Sequence, residues 1–136
     1  MMEPSLELQK AIRLRLVETS AVTSLVPAAS IVDRSGVPAT FPSILIGEGQ
    51  TVPGGDIDRR RHDAYLDLHL WQKETGLEFS KRLAGAIRDA LADTRWTATG
   101  LHVADLYVSS SRFLRDPNGI HSHGIISLTA NVVEVA

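Results

Sequence analysis

The 136 residues include no cysteine, 14 Lys and Arg against 16 Asp and Glu, and 43% apolar residues, the length and make-up of one globular domain. Lack of cysteine excludes a disulfide framework, a thiolate metal site and a cysteine nucleophile, while a formal net charge of −2 excludes a chain built to grip phosphate backbones through massed cations. No apolar run approaches the ~18 residues that cross a bilayer, and no secretory leader pattern is present, so no membrane partner is expected.

Pro4 to Glu18 is predicted as the first helix. Pro4 suits a first helical position, where its missing N–H is not needed, and Leu8, Ile12 and Leu16 recur every four residues with Ala11 beside them. Leu6, Leu14 and Val17 lie on other sides of the same helix. A helix that is apolar on more than one side touches a second surface besides its own core. That surface is either another subunit or a covering loop. Ala21 to Val26 reads as a short helical turn ending before Pro27, and Ser30 to Asp33 as a short strand. Gly36 and Pro38 mark a loop. Ser43 to Ile46 is a compact apolar strand set between Pro42 and Gly47.

Residues 47–62 hold Gly47, Gly49, Pro53, Gly54 and Gly55 ahead of a charged stretch. A segment of this length without apolar periodicity is long for a connection inside a domain. It is expected to be a flexible loop that orders on a partner, with Gln50, Asp56, Arg59, Arg60 and Arg61 as its contact residues. Asp56, Asp58 and Asp63 offset most of the charge of the Arg59-Arg60-Arg61 run.

Asp63 to Gln72 alternates, with Leu66, Leu68 and Leu70 on one face and Tyr65, Asp67, His69 and Trp71 on the other. The leucines belong under helices. The mixed face suits water or a partner, and Trp71 is a further contact candidate. Thr75-Gly-Leu-Glu78 reads as a capping box opening a second long helix that runs to about Ala92, with a Phe79, Leu83, Ile87, Leu91 stripe, Ala86 and Ala90 beside it, and a Glu78–Arg82 pair. Leu101 to Leu114 and Ile120 to Val135 are the arms of a hairpin turned by Asp116-Pro117-Asn118-Gly119. Helix, two short strands, longer strand, helix and hairpin make an α+β fold: an antiparallel-dominated sheet with two main helices on one face and a long C-terminal hairpin, one domain over residues 1–136.

Candidate chemistry is sparse. His121 and His123 stand two apart in a strand, so both rings share a side. A metal site there draws its third ligand from His69, His62 or Asp67, and no spacing brings these together; polar residues on an exposed sheet face are the favoured reading. A small metal-dependent hydrolase using His121, His123 and Asp67 is the competing function from another class. Gly47-Glu-Gly49 lacks the third glycine and the following helix of a dinucleotide loop. Ser109-Ser110-Ser111 sits in a strand arm rather than a nucleophile elbow. Asp56 and Asp58 are read as solvated carboxylates, and Trp71 and Trp96 as anchors at a core edge or contact surface. The expectation is no catalytic residue, no cofactor, no resident metal and no enzyme.

Five segments carry a resemblance: Met2-Glu-Pro-Ser-Leu-Glu-Leu-Gln-Lys-Ala-Ile12, Leu25-Val26-Pro27, Phe41-Pro-Ser-Ile-Leu-Ile-Gly-Glu48, Leu68-His-Leu-Trp71 and Arg112-Phe-Leu-Arg-Asp-Pro-Asn-Gly119. Together they resemble the tail-completion, or tail-terminator, family of long-tailed phages, and within it the versions carried by gene transfer agents. The resemblance implies a structural virion protein without catalytic residues. It implies a ring, a hexamer, at the head-proximal end of the tail tube, which stops tube polymerisation and meets the head-side connector while DNA passes through unread. The partners implied are further copies of the chain, the tail tube protein and the head-tail stopper. The location implied is the particle, with assembly in the host cytoplasm. A head-side stopper or adaptor of the neck is the alternative within the same setting.

Overall fold

The computed structural model describes residues 3–135. Met2, which opens the first of the five segments, lies outside them. Helix α1 spans Pro4–Glu18, α2 is the short Ser20–Thr23, and α3 spans Glu78–Leu91. The strands are β1 Ile31–Asp33, β2 Ser43–Pro53, β3 Arg61–Gln72, β4 Leu101–Arg115 and β5 Ser122–Glu134. They form one sheet in the order β1-β2-β3-β5-β4. β1 runs parallel to β2, and the remaining neighbours are antiparallel. The sheet is therefore mixed, because residues 34–42 cross back between β1 and β2 so that both strands run the same way.

Helices α1 and α3 both pack on one face of the sheet. Leu8, Ile12 and Leu16 of α1 and Leu83, Ile87 and Leu91 of α3 meet Ile44, Ile46, Leu66, Leu68, Leu70, Ile126, Leu128 and Val132 in one core. Burying a residue such as Ile12 or Leu68 there is worth about 2 kcal/mol. At the start of α1 the Glu3 carboxylate accepts from the Ser5 N–H at 2.7 Å, and Pro4 fills the first turn.

The start of α3 differs from the sequence expectation. Its N-cap residue is Leu77, so Thr75 stands outside the helix and caps nothing. Glu74 serves instead: its carboxylate accepts from the N–H groups of Phe79 (3.1 Å) and Ser80 (3.2 Å) and from the Ser122 hydroxyl (2.6 Å). A carboxylate at a helix N-terminus also meets the positive end of the helix dipole. Among the described residues no ion pair joins Glu78 to Arg82.

The expected flexible loop over 47–62 is largely strand. β2 continues through Pro53 and β3 begins at Arg61, leaving only residues 54–60 as a connection. A β-bulge between Ile46 and Gly49 lets the strand continue. Glycine is required there, since a Cβ on Gly47 would lie 2.5 Å from the His69 ring and one on Gly49 2.9 Å from the Tyr65 carbonyl.

The hairpin forms at the expected turn, but its second arm begins at Ser122 rather than Ile120. Gly119 has φ +76, and its N–H donates to the Asp116 carbonyl. β4 carries two bulges, between Val103 and Asp105 and between Val108 and Ser110. Each shifts the alternation by one residue, so Leu101, Val103 and Leu106 are buried while Tyr107 is exposed.

Candidate functional site

Two kinds of exposed feature separate this molecule from a closed globule. The first is geometric. β4 is the terminal strand of the sheet, and its outer edge pairs with no other described strand along 15 residues. Such an edge presents open N–H and C=O groups that a second strand satisfies. The second is apolar: on the outer side of α1, Leu6 is 48% exposed and Leu14 52% exposed. Val17, the third residue on the outer sides of α1, is half-buried and packs against the core, so the structure assigns it to the fold.

The other contact candidates fall in different places. Gln50 is exposed on β2 opposite Tyr65, on the helix-free face of the sheet. Asp56 and Arg59 shape the short 54–60 turn. The Asp56 carboxylate accepts from the Arg61 N–H at 3.4 Å, the Asp56 carbonyl accepts from the Arg59 N–H, and Arg59 itself holds φ 56. The Arg60 carbonyl accepts from the Glu134 N–H, and Arg61 begins β3. The three arginines are exposed at one end of the sheet. Beside them Ile57 is 98% exposed.

Trp71 is buried, at 5% exposure, and does not form an open surface. Alternation put it on the helix-free face, and it is there, beside buried Leu45. Residues 34–37 lie across that end of the sheet and share with them a cavity of about 160 Å³. The His123 ring stacks on Trp71 at 4.1 Å between centroids. Trp96, expected at a core edge or a contact surface, is half-buried beneath the Arg15 guanidinium, 3.7 Å from its ring centroid.

The histidines regroup. His121 lies before β5, stacked on Phe41 at 4.5 Å and joined to the Asn118 side chain. His123 lies in β5 with its Nε2 2.8 Å from Nδ1 of His69. The expected sharing of one side by His121 and His123 fails because the strand begins only at Ser122. His62 pairs with Glu134 at 2.8 Å. His121, His123 and Asp67 are therefore not one group. Glu48, Asp67 and His69 are: one ligand atom from each lies within 4.8 Å of the others. His69 Nε2 is 3.1 Å from Glu48, and Asp67 accepts from the Ser127 hydroxyl at 2.7 Å. The Glu48 carboxyl is held below the ordinary carboxylate range, first by its own backbone N–H and then by the His69 ring. Burial, then the neighbouring His69, pushes His123 down. Glu48 was not among the ligand candidates because residues 47–62 read as a flexible loop, whereas the structure makes 43–53 one bulged strand. The signal was present as glycines at 47 and 49 inside an apolar strand, a mark of a bulge.

No curated protein matches the chain in sequence. The family model described as "Tail completion protein gp17" matches residues 10–132. Among solved structures, a chain of the "Virion of native gene transfer agent (GTA) particle" is similar with a TM-score of 0.81 at 16% identity, over 93% of this chain and 94% of that one. The "Structure of bacteriophage SPP1 gp17 protein" is similar with a TM-score of 0.61 at 21% identity, over 93% of this chain and 89% of that one.

Proposed function

From its membership of the tail completion protein gp17 family, to which the chain belongs, we propose that this protein assembles into a ring that caps the head-proximal end of a tail tube. Family membership makes it a structural component of a phage or phage-like particle. The proposal adds its form and its role, those of a hexameric ring that ends tube polymerisation, meets the head-side connector on its other rim and lets DNA pass. The observation that carries it is the pair of unlike open surfaces, the unpaired β4 edge and the exposed leucines of α1. A closed ring needs a heterologous interface, in which one patch meets a different patch on the next copy. A net charge of −2 agrees with DNA that slides through, since every phosphate gripped adds a salt-dependent hold.

Particles produced without this protein test the reading by electron microscopy. Overlong tails, or loose tails beside filled heads, are expected. Joined particles with tails of normal length overturn it. Leu14→Asp tests the interface. It is expected to abolish ring formation, read by sedimentation, while leaving the unfolding midpoint of the single chain unchanged. Collapse of the fold instead would assign Leu14 to the core.

A further inference from the structure

We propose that Glu48, Asp67 and His69 form a binding site for one divalent transition-metal ion of the zinc class, oriented by His123. The bulge between Ile46 and Gly49 is the first support. Without it Glu48 faces the core; with it the carboxylate reaches the helix-free face beside His69. Bulges re-aim side chains in this way next to functional sites. Gly47 is the second. The absence of a side chain there is what lets the His69 ring lie against β2, since a Cβ would sit 2.6 Å from its Nε2. The backbone is thus shaped around this imidazole and this carboxylate.

The donor set points to the class of ion. One imidazole nitrogen and two carboxylates within 4.8 Å of one another suit zinc and its neighbours, whereas magnesium and calcium favour all-oxygen sets. The residue behind the ligand completes the pattern. Metal-bound histidines commonly hydrogen-bond through their second ring nitrogen to a partner that fixes the tautomer. His69 Nδ1 has that partner in His123 Nε2 at 2.8 Å. With Nδ1–H donating to His123, the lone pair of His69 Nε2 faces the Glu48 carboxylate, and a cation between them satisfies both. The Ser127 hydroxyl holds Asp67 in the same way. The ring of His123 is in turn fixed by its stack on Trp71. Trp71, whose indole N–H is buried without an acceptor among the described residues, lines the adjoining cavity together with Glu48, His69 and His123. Three protein ligands leave coordination positions open toward that cavity. The site differs from the His121–His123 pairing suggested by sequence spacing.

Isothermal titration of untagged, chelator-treated protein with zinc chloride, and separately with magnesium chloride, tests the proposal. One equivalent of zinc and no heat from magnesium are expected. His69→Gln and Glu48→Gln are expected to abolish the zinc heat. His123→Ala, which removes the contact to His69 Nδ1 together with the stack on Trp71 but no ligand, is expected to weaken it about 10- to 100-fold. No heat with zinc up to millimolar concentration, or binding unchanged in His69→Gln, overturns the proposal. A variant that fails to fold by circular dichroism is replaced by a measurement on the native chain: zinc should shift the ¹⁵N resonance of His69 Nε2 while Nδ1 keeps its proton. An unmoved His69 overturns it equally.

Discussion

Arg15 joins the two long helices. Its Nη1 donates to the carbonyls of Ala90 (2.9 Å) and Asp93 (3.0 Å), its Nη2 donates to the carbonyl of Arg95, and its guanidinium covers Trp96. The last carbonyls of α3 lack partners within their own helix, and an arginine from α1 supplies them with a positive charge at the negative end of the dipole. Arg15→Met should therefore cost about 2 kcal/mol in urea unfolding. Arg15→Lys should recover less than half, because an ammonium cannot span three carbonyls and a ring; full recovery would contradict this account. Glu3 gives a second prediction at this scale. The Ser5 hydroxyl first, and the Ser5 N–H next, hold its carboxyl below the ordinary value of 4.5. A lowered folded-state pKa means that the charged cap stabilises above pH 4.5 and that this contribution is lost as pH falls through the folded value. The stability difference between the native chain and Glu3→Gln should be about 0.5–1 kcal/mol at neutral pH and shrink toward zero in acid. A difference that grows in acid would refute this. The Arg15 contacts were not readable beforehand. Pro4 marked the start of the first helix, but Arg15 meets its acceptors more than 70 positions further along the chain.

The connection between β2 and β3 shows where reading by element failed. Residues 47–53 carry glycines and no apolar alternation, and so resembled a loop. They form a strand because Gly49 to Pro53 find backbone partners in Leu66 to His62. Hydrogen bonding to a neighbour made elsewhere in the fold outweighs weak local propensity. What remains is a turn with Gly54 paired to Arg61 and with Gly55 at φ +85. Deleting residues 56–59 would leave Gly55-Arg60 as a two-residue turn with glycine in the first position, the pattern of a tight hairpin. The melting temperature should stay within a few degrees of the native value, since the deletion also removes the left-handed backbone of Arg59. Head-to-tail joining should fail, because Ile57 and Arg59 go with the deletion. Infectious or gene-transferring particles at native yield would remove this turn from the contact surface. The opposite outcome holds for β4. Its apolar residues change phase at 103–106 and again after 108, and only the pairing with β5 identifies these shifts as bulges.

At the scale of the whole molecule, charge and shape govern what the protein meets. With 14 cationic and 16 anionic side chains, its binding to duplex DNA should be undetectable by fluorescence anisotropy near physiological salt and should change little between about 50 and 200 mM. A steep salt dependence would show a surface that grips phosphate, contrary to a ring that lets DNA slide. The apolar periods of 3.6 and 2, the Asp116-Pro117-Asn118-Gly119 turn and the proline at the first helix were enough to determine both long helices, the leucine face of β3 and the C-terminal hairpin, because each depends on residues within a few positions of one another. Five ordered segments likewise pointed to the family that the match over residues 10–132 establishes. Tertiary structure alone decided the rest. It set the parallel placement of β1, the burial of Trp71 beside a cavity shared with residues 34–37, the exchange of Thr75 for Glu74 as the cap of α3, and the meeting of Glu48, Asp67, His69 and His123. The Glu74 cap reaches Phe79 and Ser80 nearby and Ser122 from β5; the others join residues separated in the chain, whose distance and register exist only once the sheet has formed.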